Sequence, residues 1–360
     1  MNRIVLTLVI LLVPLASCAQ TTKTENVFLI TLDGLRWQEL FSGADSLLLG
    51  DARYVDHPEA LTEQFWADDP ITRRQRLMPF FWRVMARDGQ LYGNRAYGNR
   101  VNVTNNHWFS YPGYNEILTG FADDRIDSND KIDNPNKTVL EFVNEQPGFE
   151  GAVAAFGSWD VFPYIVNENR SGIPVNAGFR TAQGDDLTER EVFLNEMQPQ
   201  VPSPWSTVRL DAFTHHYAVE YLKKHRPRLI YIAYGETDDF AHDGDYEAYL
   251  KSAHQTDAFI RTLWEWAEAD DDYRGKMTFL ITTDHGRGEG DAWTSHGTDI
   301  EGADAIWFAV LGPDTPPLGE VKTAGQFYQN QVASTTAALL GLAYENDRPV
   351  DPICAPMLGR

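Results

Sequence analysis

Five apolar runs of strand length constrain the fold of this chain more than any other feature. Runs of this length without polar alternation are typical of strands buried on both faces of a parallel sheet. Stretches with helical spacing lie between the runs. Because strand and helix alternate, the sequence predicts an α/β fold in which a mostly parallel central sheet has helices on both faces. The predicted strands are 26–33, 151–156, 228–234, 277–284 and 306–311, and the predicted helices are 79–88, 207–225, 246–269 and 326–342.

The start of the chain has the pattern of an export signal. Arg3 precedes an apolar stretch over residues 4–15, which is too short to span a bilayer comfortably. The stretch closes on Leu-Ala-Ser-Cys, which resembles the box of bacterial lipoproteins, in which the cysteine is acylated after cleavage. We therefore expect a signal peptide over 1–17, a lipid on Cys18, a tether over 18–25, and a protein anchored to the bacterial cell envelope, on the outer membrane or the periplasmic side. A plain secretory signal is the alternative.

The charge balance narrows the class of partner. The chain has 30 Lys and Arg residues against 52 Asp and Glu residues, which gives a formal net charge of −22. Such a field repels nucleic acid and anionic lipid, so we expect no nucleic-acid partner and no membrane contact other than the lipid on Cys18. An acidic protein that binds a small anionic substrate needs a local positive centre, and a metal ion is its usual source. The two cysteines, Cys18 and Cys354, provide no disulfide framework.

Carboxylates and imidazoles follow three of the predicted strands, where an open α/β sheet binds its ligands. Asp238 and His242 are four positions apart, so one turn of chain can bring both to a single ion. An adjacent Asp–His pair offers an oxygen and a nitrogen, a mixture that suits zinc first and manganese second. Any one of these residues could be an exposed turn residue, but their combination favours a metal site. The predicted ligands are Asp33, Asp238, His242, Asp284, His285 and His296.

A serine at the start of a predicted helix is the candidate nucleophile. Pro112 falls in the first turn of that helix and Ser110 at its amino end. The positive end of the helix dipole and a bound metal ion would both lower the pKa of this hydroxyl toward the alkoxide. A lone serine at such a position is far more commonly a helix N-cap, which is the alternative for Ser110. Candidates for the substrate pocket are Asn105, Asn106, His107 and Trp159, for each of which ordinary loop or core packing is the alternative.

The remaining segments complete the predicted organisation of the chain. Residues 123–133 carry five carboxylates but lack the ligand spacing of a calcium loop, so we expect a solvated loop. Residues 160–205 combine Pro, Asn, Gln and Asp, which predicts an insertion or cap rather than sheet. The predicted catalytic domain covers 26–345, and 346–360 form a C-terminal tail.

In this order the residues resemble the alkaline phosphatase superfamily, and within it the type I phosphodiesterases and related metal-dependent phosphatases. Members have an Asp after the first strand, a Ser or Thr nucleophile that opens a helix, an Asp-x-x-x-His segment, an Asp-His-Gly strand end and a later His. The matches here run from Asp33 to His296. The resemblance implies an alkaline-phosphatase-like three-layer sandwich and two divalent metal ions.

The resemblance also implies which residues share an ion. Ser110 would be the nucleophile, lying between the two ions and itself a ligand of the metal. One ion would be held by Asp238, His242 and His296, and the other by Asp33, Asp284 and His285.

Two departures from the family bear on the substrate. The phosphodiesterase branch often has Thr-x-Pro-Asn, and Gly113 occupies the Asn position here. Type I sulfatases need an Arg four positions after the residue that is oxidised to formylglycine, and Tyr114 stands there in this chain.

The sequence therefore predicts a hydrolase of phosphate esters that works through a covalent phosphoserine intermediate. A sulfate or phosphonate ester hydrolase on the same site is the alternative within the enzymes. A non-catalytic, metal-binding envelope lipoprotein is the alternative from another class, and the intact serine argues against it.

Overall fold

The computed structural model describes residues 22–360. The predicted signal peptide over 1–17 and the predicted lipid site at Cys18 lie outside the described residues. Within them, no helix combines the length and the apolar character needed to cross a membrane.

The described residues form eleven strands in two sheets, and the larger sheet, which has eight strands, is the middle layer. The strands, in chain order, are β1 Asn26–Leu32, β2 Gln90–Tyr92, β3 Asn99–Asn102, β4 Val153–Gly157, β5 Val175–Ala177, β6 Leu229–Tyr234, β7 Met277–Thr282, β8 Ala305–Ile306, β9 Phe308–Leu311, β10 Gly319–Glu320 and β11 Gly325–Tyr328. The order across the large sheet is β10-β2-β9-β7-β1-β6-β4-β5, and a small second sheet has the order β11-β3-β8. All neighbours in the large sheet are parallel except those of β9, which runs antiparallel to β2 and β7.

The central strands have no polar alternation because both of their faces are covered. Every residue of β1, β6 and β7 is buried. Phe28 and Ile30 of β1 belong to the core on one side of the sheet, and Val27 and Leu29 to the core on the other. Each fully buried apolar side chain of this kind contributes roughly 1.5–3 kcal/mol of transfer free energy. The predicted α/β sandwich with a mostly parallel sheet and helices on both faces is confirmed.

Helices cover both faces of the sheet. They are α1 Trp37–Ser42, α2 Ser46–Leu49, α3 Pro58–Phe65, α4 Pro70–Leu77, α5 Ala86–Asp88, α6 Ser110–Thr119, α7 Val139–Asn144, α8 Phe162–Ile165, α9 Glu168–Ser171, α10 Glu189–Met197, α11 Asp211–His225, α12 Glu236–His242, α13 Tyr246–Ala269 and α14 Gln331–Leu339, with a π-helical turn at Phe81–Met85. The apolar face of α13 packs into one core, and α6 and α14 pack into the other.

Four sequence expectations differ from the structure. The predicted strand 306–311 is split between β8 and β9, and β9 is antiparallel. The predicted helix 326–342 starts with strand β11 and becomes helical at Gln331. The segment 160–205 is partly sheet, because β5 pairs with β4 at the sheet edge. In the acidic loop 123–133, Asp123 is buried and accepts hydrogen bonds from Arg125 and Asn136, so this loop is only partly solvated.

The last residues of the chain are part of the folded body. Cys354 and Met357, in the predicted tail 346–360, are buried in the core that also contains α14. Ser334 of α14 donates a hydrogen bond to the carbonyl of Asp351. This segment therefore covers the end of the second core.

Candidate active site

The sheet order brings the predicted ligands to one edge. Asp33 follows β1, which lies between β6 and β7 in the sheet. Asp238 lies in α12 after β6, and Asp284 and His285 follow β7. Since these three strands are parallel, their carboxyl ends meet at the same edge.

Asp238, His242 and His296 form a first cluster whose ligand atoms lie within 4.8 Å of one another. The single turn of α12 between Asp238 and His242 leaves His242 Nε2 3.2 Å from Asp238 Oδ2. His296 arrives from the loop after β7, and its Nε2 lies 2.9 Å from His242 Nε2. This is the grouping that the resemblance implies for one ion.

A second cluster surrounds His285, whose Nε2 lies 3.3 Å from Asp33 Oδ1 and 3.4 Å from Asp284 Oδ2. The same nitrogen is 3.7 Å from Asp238 Oδ1. Asp238 therefore lies between the two clusters, and the structure adds it to the group of Asp33, Asp284 and His285 that the resemblance implies.

Two buried carboxylate oxygens in the second cluster have no hydrogen-bond partner. These are Asp33 Oδ1 and Asp284 Oδ2, both of which lie close to His285 Nε2. The other oxygen of each carboxylate is bonded, because Tyr114 Oη donates to Asp33 Oδ2 at 2.7 Å and the Gly34 amide donates to Asp284 Oδ1 at 3.1 Å. Unpaired buried oxygens are costly unless a cation binds them. The residues present therefore fit a divalent metal ion.

The charges of the cluster support the same conclusion. Burial and the nearby Asp238 raise the pKa of Asp33 to about 7. Burial and the charge of Asp33 raise the pKa of Asp284 well above its usual value. Three carboxylates this close repel one another when ionised, and a dication reverses that repulsion.

A buried arginine connects the parts of the first cluster. Arg287 is fully buried and donates hydrogen bonds to Asp238 and to the carbonyls of Trp293 and Thr294, just before His296. It thereby holds the segment that carries His296 against α12. The sequence reasoning missed Arg287, although it directly follows the Asp-His-Gly segment.

Ser110 is the first residue of α6, and its Oγ lies 3.5 Å from His285 Nε2. Phe109 is the N-cap residue, so Ser110 does not have the capping role that was the alternative. Asn129, from the acidic loop, accepts a hydrogen bond from the Tyr111 amide at 3.0 Å. The Ser110 hydroxyl is therefore available for chemistry.

Gly113 lets α6 approach the second cluster. A Cβ at this position would lie 2.4 Å from the carbonyl oxygen of Asp284 and 3.2 Å from Asp284 Cβ. No larger residue fits without a shift of α6 or of the strand end, so Gly113 stands here for a packing reason.

Gly113→Ala is expected to lower kcat/KM about 10- to 100-fold, because displacement of α6 moves Ser110 away from His285. Overpacking of this kind also costs about 1–3 kcal/mol of stability. Steady-state kinetics and thermal unfolding measure the two effects. Gly50→Ala is the matched control, because a Cβ there meets an atom only at 3.5 Å. Unchanged kinetics in Gly113→Ala would refute the close-approach argument.

A cavity of about 180 Å³ opens over Ser110 and both clusters, and Trp159, Asn129 and Thr207 form part of its wall. Trp159 was predicted to lie there. Asn129 and Thr207 were missed, because the sequence does not show which part of the structure a polar loop residue faces. Asn105, Asn106 and His107 do not line this cavity. Asn105 is buried and bonded to Glu116, which corrects the expectation that it contacts substrate.

Comparisons with known proteins agree with this architecture. Residues 189–343 match the family model of the metalloenzyme superfamily. A solved structure of a protein in the alkaline phosphatase superfamily from Vibrio parahaemolyticus matches with a TM-score of 0.53 at 12% identity, over 95% of this chain and 70% of that chain. No curated protein matches the chain in sequence.

Two further solved structures share the fold. A putative sulfatase from Bacteroides thetaiotaomicron has a TM-score of 0.59 at 12% identity, over 93% of this chain and 75% of that chain. The phosphonate monoester hydrolase of Silicibacter pomeroyi has a TM-score of 0.56 at 15% identity, over 93% of this chain and 76% of that chain. These likenesses confirm the predicted resemblance to the alkaline phosphatase superfamily at the level of the fold.

Proposed function

The chain has the fold of the alkaline phosphatase superfamily and matches the metalloenzyme superfamily over residues 189–343, and from this we propose that it hydrolyses phosphate esters with Ser110 as nucleophile. The observation that carries the proposal is the position of Ser110 Oγ, 3.5 Å from His285 Nε2. The same nitrogen lies 3.3 Å and 3.4 Å from the unpaired oxygens of Asp33 and Asp284. A hydroxyl beside a buried cluster of carboxylates and imidazoles is typical of metal-assisted displacement at phosphorus.

Two divalent ions would supply the positive charge that stabilises the reacting oxygens of an anionic ester. Asp238, His242 and His296 would hold one ion, and Asp33, Asp284 and His285 the other. The mixed nitrogen and oxygen donors favour zinc, with manganese second. In an acidic protein this charge replaces the basic patch that an anion site otherwise requires.

The reaction proceeds in two displacements at Ser110. In the first, Ser110 Oγ loses its proton and attacks phosphorus, and the bond from phosphorus to the alcohol oxygen breaks as that oxygen takes up a proton. In the second, water loses a proton and attacks the phosphorus of the phosphoserine ester, and the bond from phosphorus to Oγ breaks as Oγ takes up a proton. The product is phosphate from a monoester substrate and a phosphate monoester from a diester. The start of α6 places the hydroxyl in the positive end of the helix dipole, which favours its ionised form.

Tyr114 supports an unmodified serine. It occupies the position at which type I sulfatases need an arginine, and its hydroxyl donates to Asp33 Oδ2 at 2.7 Å. The position therefore serves a site carboxylate in this chain. Hydrolysis of a sulfate or phosphonate ester is the second candidate, because the solved structures of similar fold include a putative sulfatase and a phosphonate monoester hydrolase.

The test is a substrate panel measured together with metal content. Purified protein is assayed with an aryl phosphate monoester, the matching diester, an aryl monoester of a phosphonate and an aryl sulfate. We expect two equivalents of zinc or manganese and fastest turnover of a phosphate ester. Fastest turnover of the sulfate or the phosphonate would favour the second candidate. Bound metal without turnover of any of these substrates would favour the non-catalytic, metal-binding protein. The lipid on Cys18 and the envelope location remain predictions.

A further inference from the structure

A fully buried carboxylate lies in the helix that Ser110 begins. Glu116 is in the middle of α6 and has no exposed surface. It accepts hydrogen bonds from the backbone amides of Thr104 and Asn105, the Thr104 hydroxyl and the Asn105 side-chain amide, at 2.8 to 3.1 Å. Burial of a carboxylate is costly even with such donors, so its presence in the nucleophile helix requires an explanation.

Asn105, which is hydrogen-bonded to Glu116, also fixes the backbone of the loop before Ser110, and we call this pair of residues the clamp. Asn105 donates through Nδ2 to Glu116, and its Oδ1 accepts from the amides of His107 and Trp108 at 2.9 and 3.0 Å. Trp108 lies in the left-handed region with a φ of 52°, which a bulky residue rarely adopts. Unfavourable backbone geometry of this kind persists only where surrounding contacts enforce it.

The clamped backbone contacts the first cluster. The carbonyl of Trp108 lies 3.2 Å from His296 Nδ1, which donates to it. A carbonyl on Nδ1 fixes the tautomer and the ring plane, and it leaves Nε2 as the ligand atom. That Nε2 is the atom 2.9 Å from His242 Nε2. One short loop therefore places both the nucleophile and a metal ligand.

We propose that Glu116 and Asn105 are positioning residues, which hold Trp108 in its left-handed conformation so that its carbonyl orients His296 toward the metal while Ser110 enters α6. The proposal rests on the proposed function, because it assigns this network to the same site. It predicts a defect confined to the cluster of Asp238, His242 and His296.

The first test removes the clamp. In Asn105→Ala, we expect the zinc affinity of one of the two sites to fall about 10- to 100-fold, as measured by calorimetry on metal-free protein, with the other site unchanged. Asn99→Ala is the matched control, because Asn99 is also buried and its side chain also accepts from a backbone amide. Its side-chain amide donates to the Thr323 carbonyl rather than to a carboxylate. We expect Asn99→Ala to lower thermal stability without a change in zinc affinity.

The second test separates backbone conformation from side-chain packing. Trp108→Gly and Trp108→Val both remove the indole, but only glycine adopts the left-handed region freely, and valine strongly disfavours it. We expect zinc affinity within about threefold of the wild type in Trp108→Gly and a loss like that of Asn105→Ala in Trp108→Val. Equal losses in both would show that only the indole matters and would overturn the proposal.

His296→Ala is the reference variant that distinguishes a failure of the positioning proposal from a failure of the proposed metal site. If it still binds two equivalents of zinc, the proposed metal site itself is wrong. If it loses one equivalent while Asn105→Ala and Trp108→Val bind zinc as the wild type does, the metal site stands and the positioning role is refuted.

Discussion

Ser110→Ala is expected to lower kcat for a phosphate ester by at least about 10³-fold while the protein still binds two equivalents of metal. The loss is large because the proposed mechanism assigns the covalent bond to phosphorus to this Oγ, and no other hydroxyl in the wall of the cavity starts a helix beside His285. The fold should tolerate the change. Ser110 is not the N-cap of α6, and alanine is a good helix former.

The control for this experiment is Ser46→Ala. Ser46 is also the first residue of a helix, α2, whose N-cap is the preceding residue, and it is exposed. We expect wild-type turnover in Ser46→Ala and turnover at or near background in Ser110→Ala. Residual activity above about a tenth of the wild-type value, with metal retained, would remove Ser110 as nucleophile.

The long buried strands were predictable from the sequence, whereas the short strands were not. β1, β6 and β7 are buried on both faces, so their apolar runs needed no knowledge of neighbours. In β11, partly buried and exposed residues alternate over four positions, a pattern too short to distinguish from one turn of helix. The direction of β9 depends on its pairing with β7 and β2, which are distant in sequence.

The candidate site shows the same division. The grouping of the candidate ligands was predictable, because each of them comes after a strand and the parallel sheet brings the strand ends together. Asn105 was predicted to line the substrate pocket because it is close to Ser110 in sequence. Closeness in sequence, however, does not determine the direction in which a side chain points. Asn129 and Arg287 reach the site through contacts between segments that are distant in sequence, and one sequence carries no record of such pairs.

His296→Ala is expected to remove one equivalent of metal and to lower kcat about 10²- to 10⁴-fold, with the second equivalent retained. The variant leaves Asp238 and His242 as the only described ligands of the first cluster, while the contacts of His285 with Asp33 and Asp284 remain. Loss of one charge from a two-metal site removes stabilisation of one reacting oxygen but not of the other.

Asp238→Asn is the variant to compare with His296→Ala, because the two should differ in how many metal sites they weaken. Asp238 lies between the clusters, with Oδ2 at 3.2 Å from His242 Nε2 and Oδ1 at 3.7 Å from His285 Nε2. Its neutralisation should therefore weaken both sites, whereas His296→Ala should weaken one. His57→Ala is the control, since His57 is exposed and pairs with Glu247. Elemental analysis and zinc calorimetry give the result. Two full equivalents in His296→Ala would contradict the assignment of His296, and a loss confined to one site in Asp238→Asn would contradict its place between the two ions.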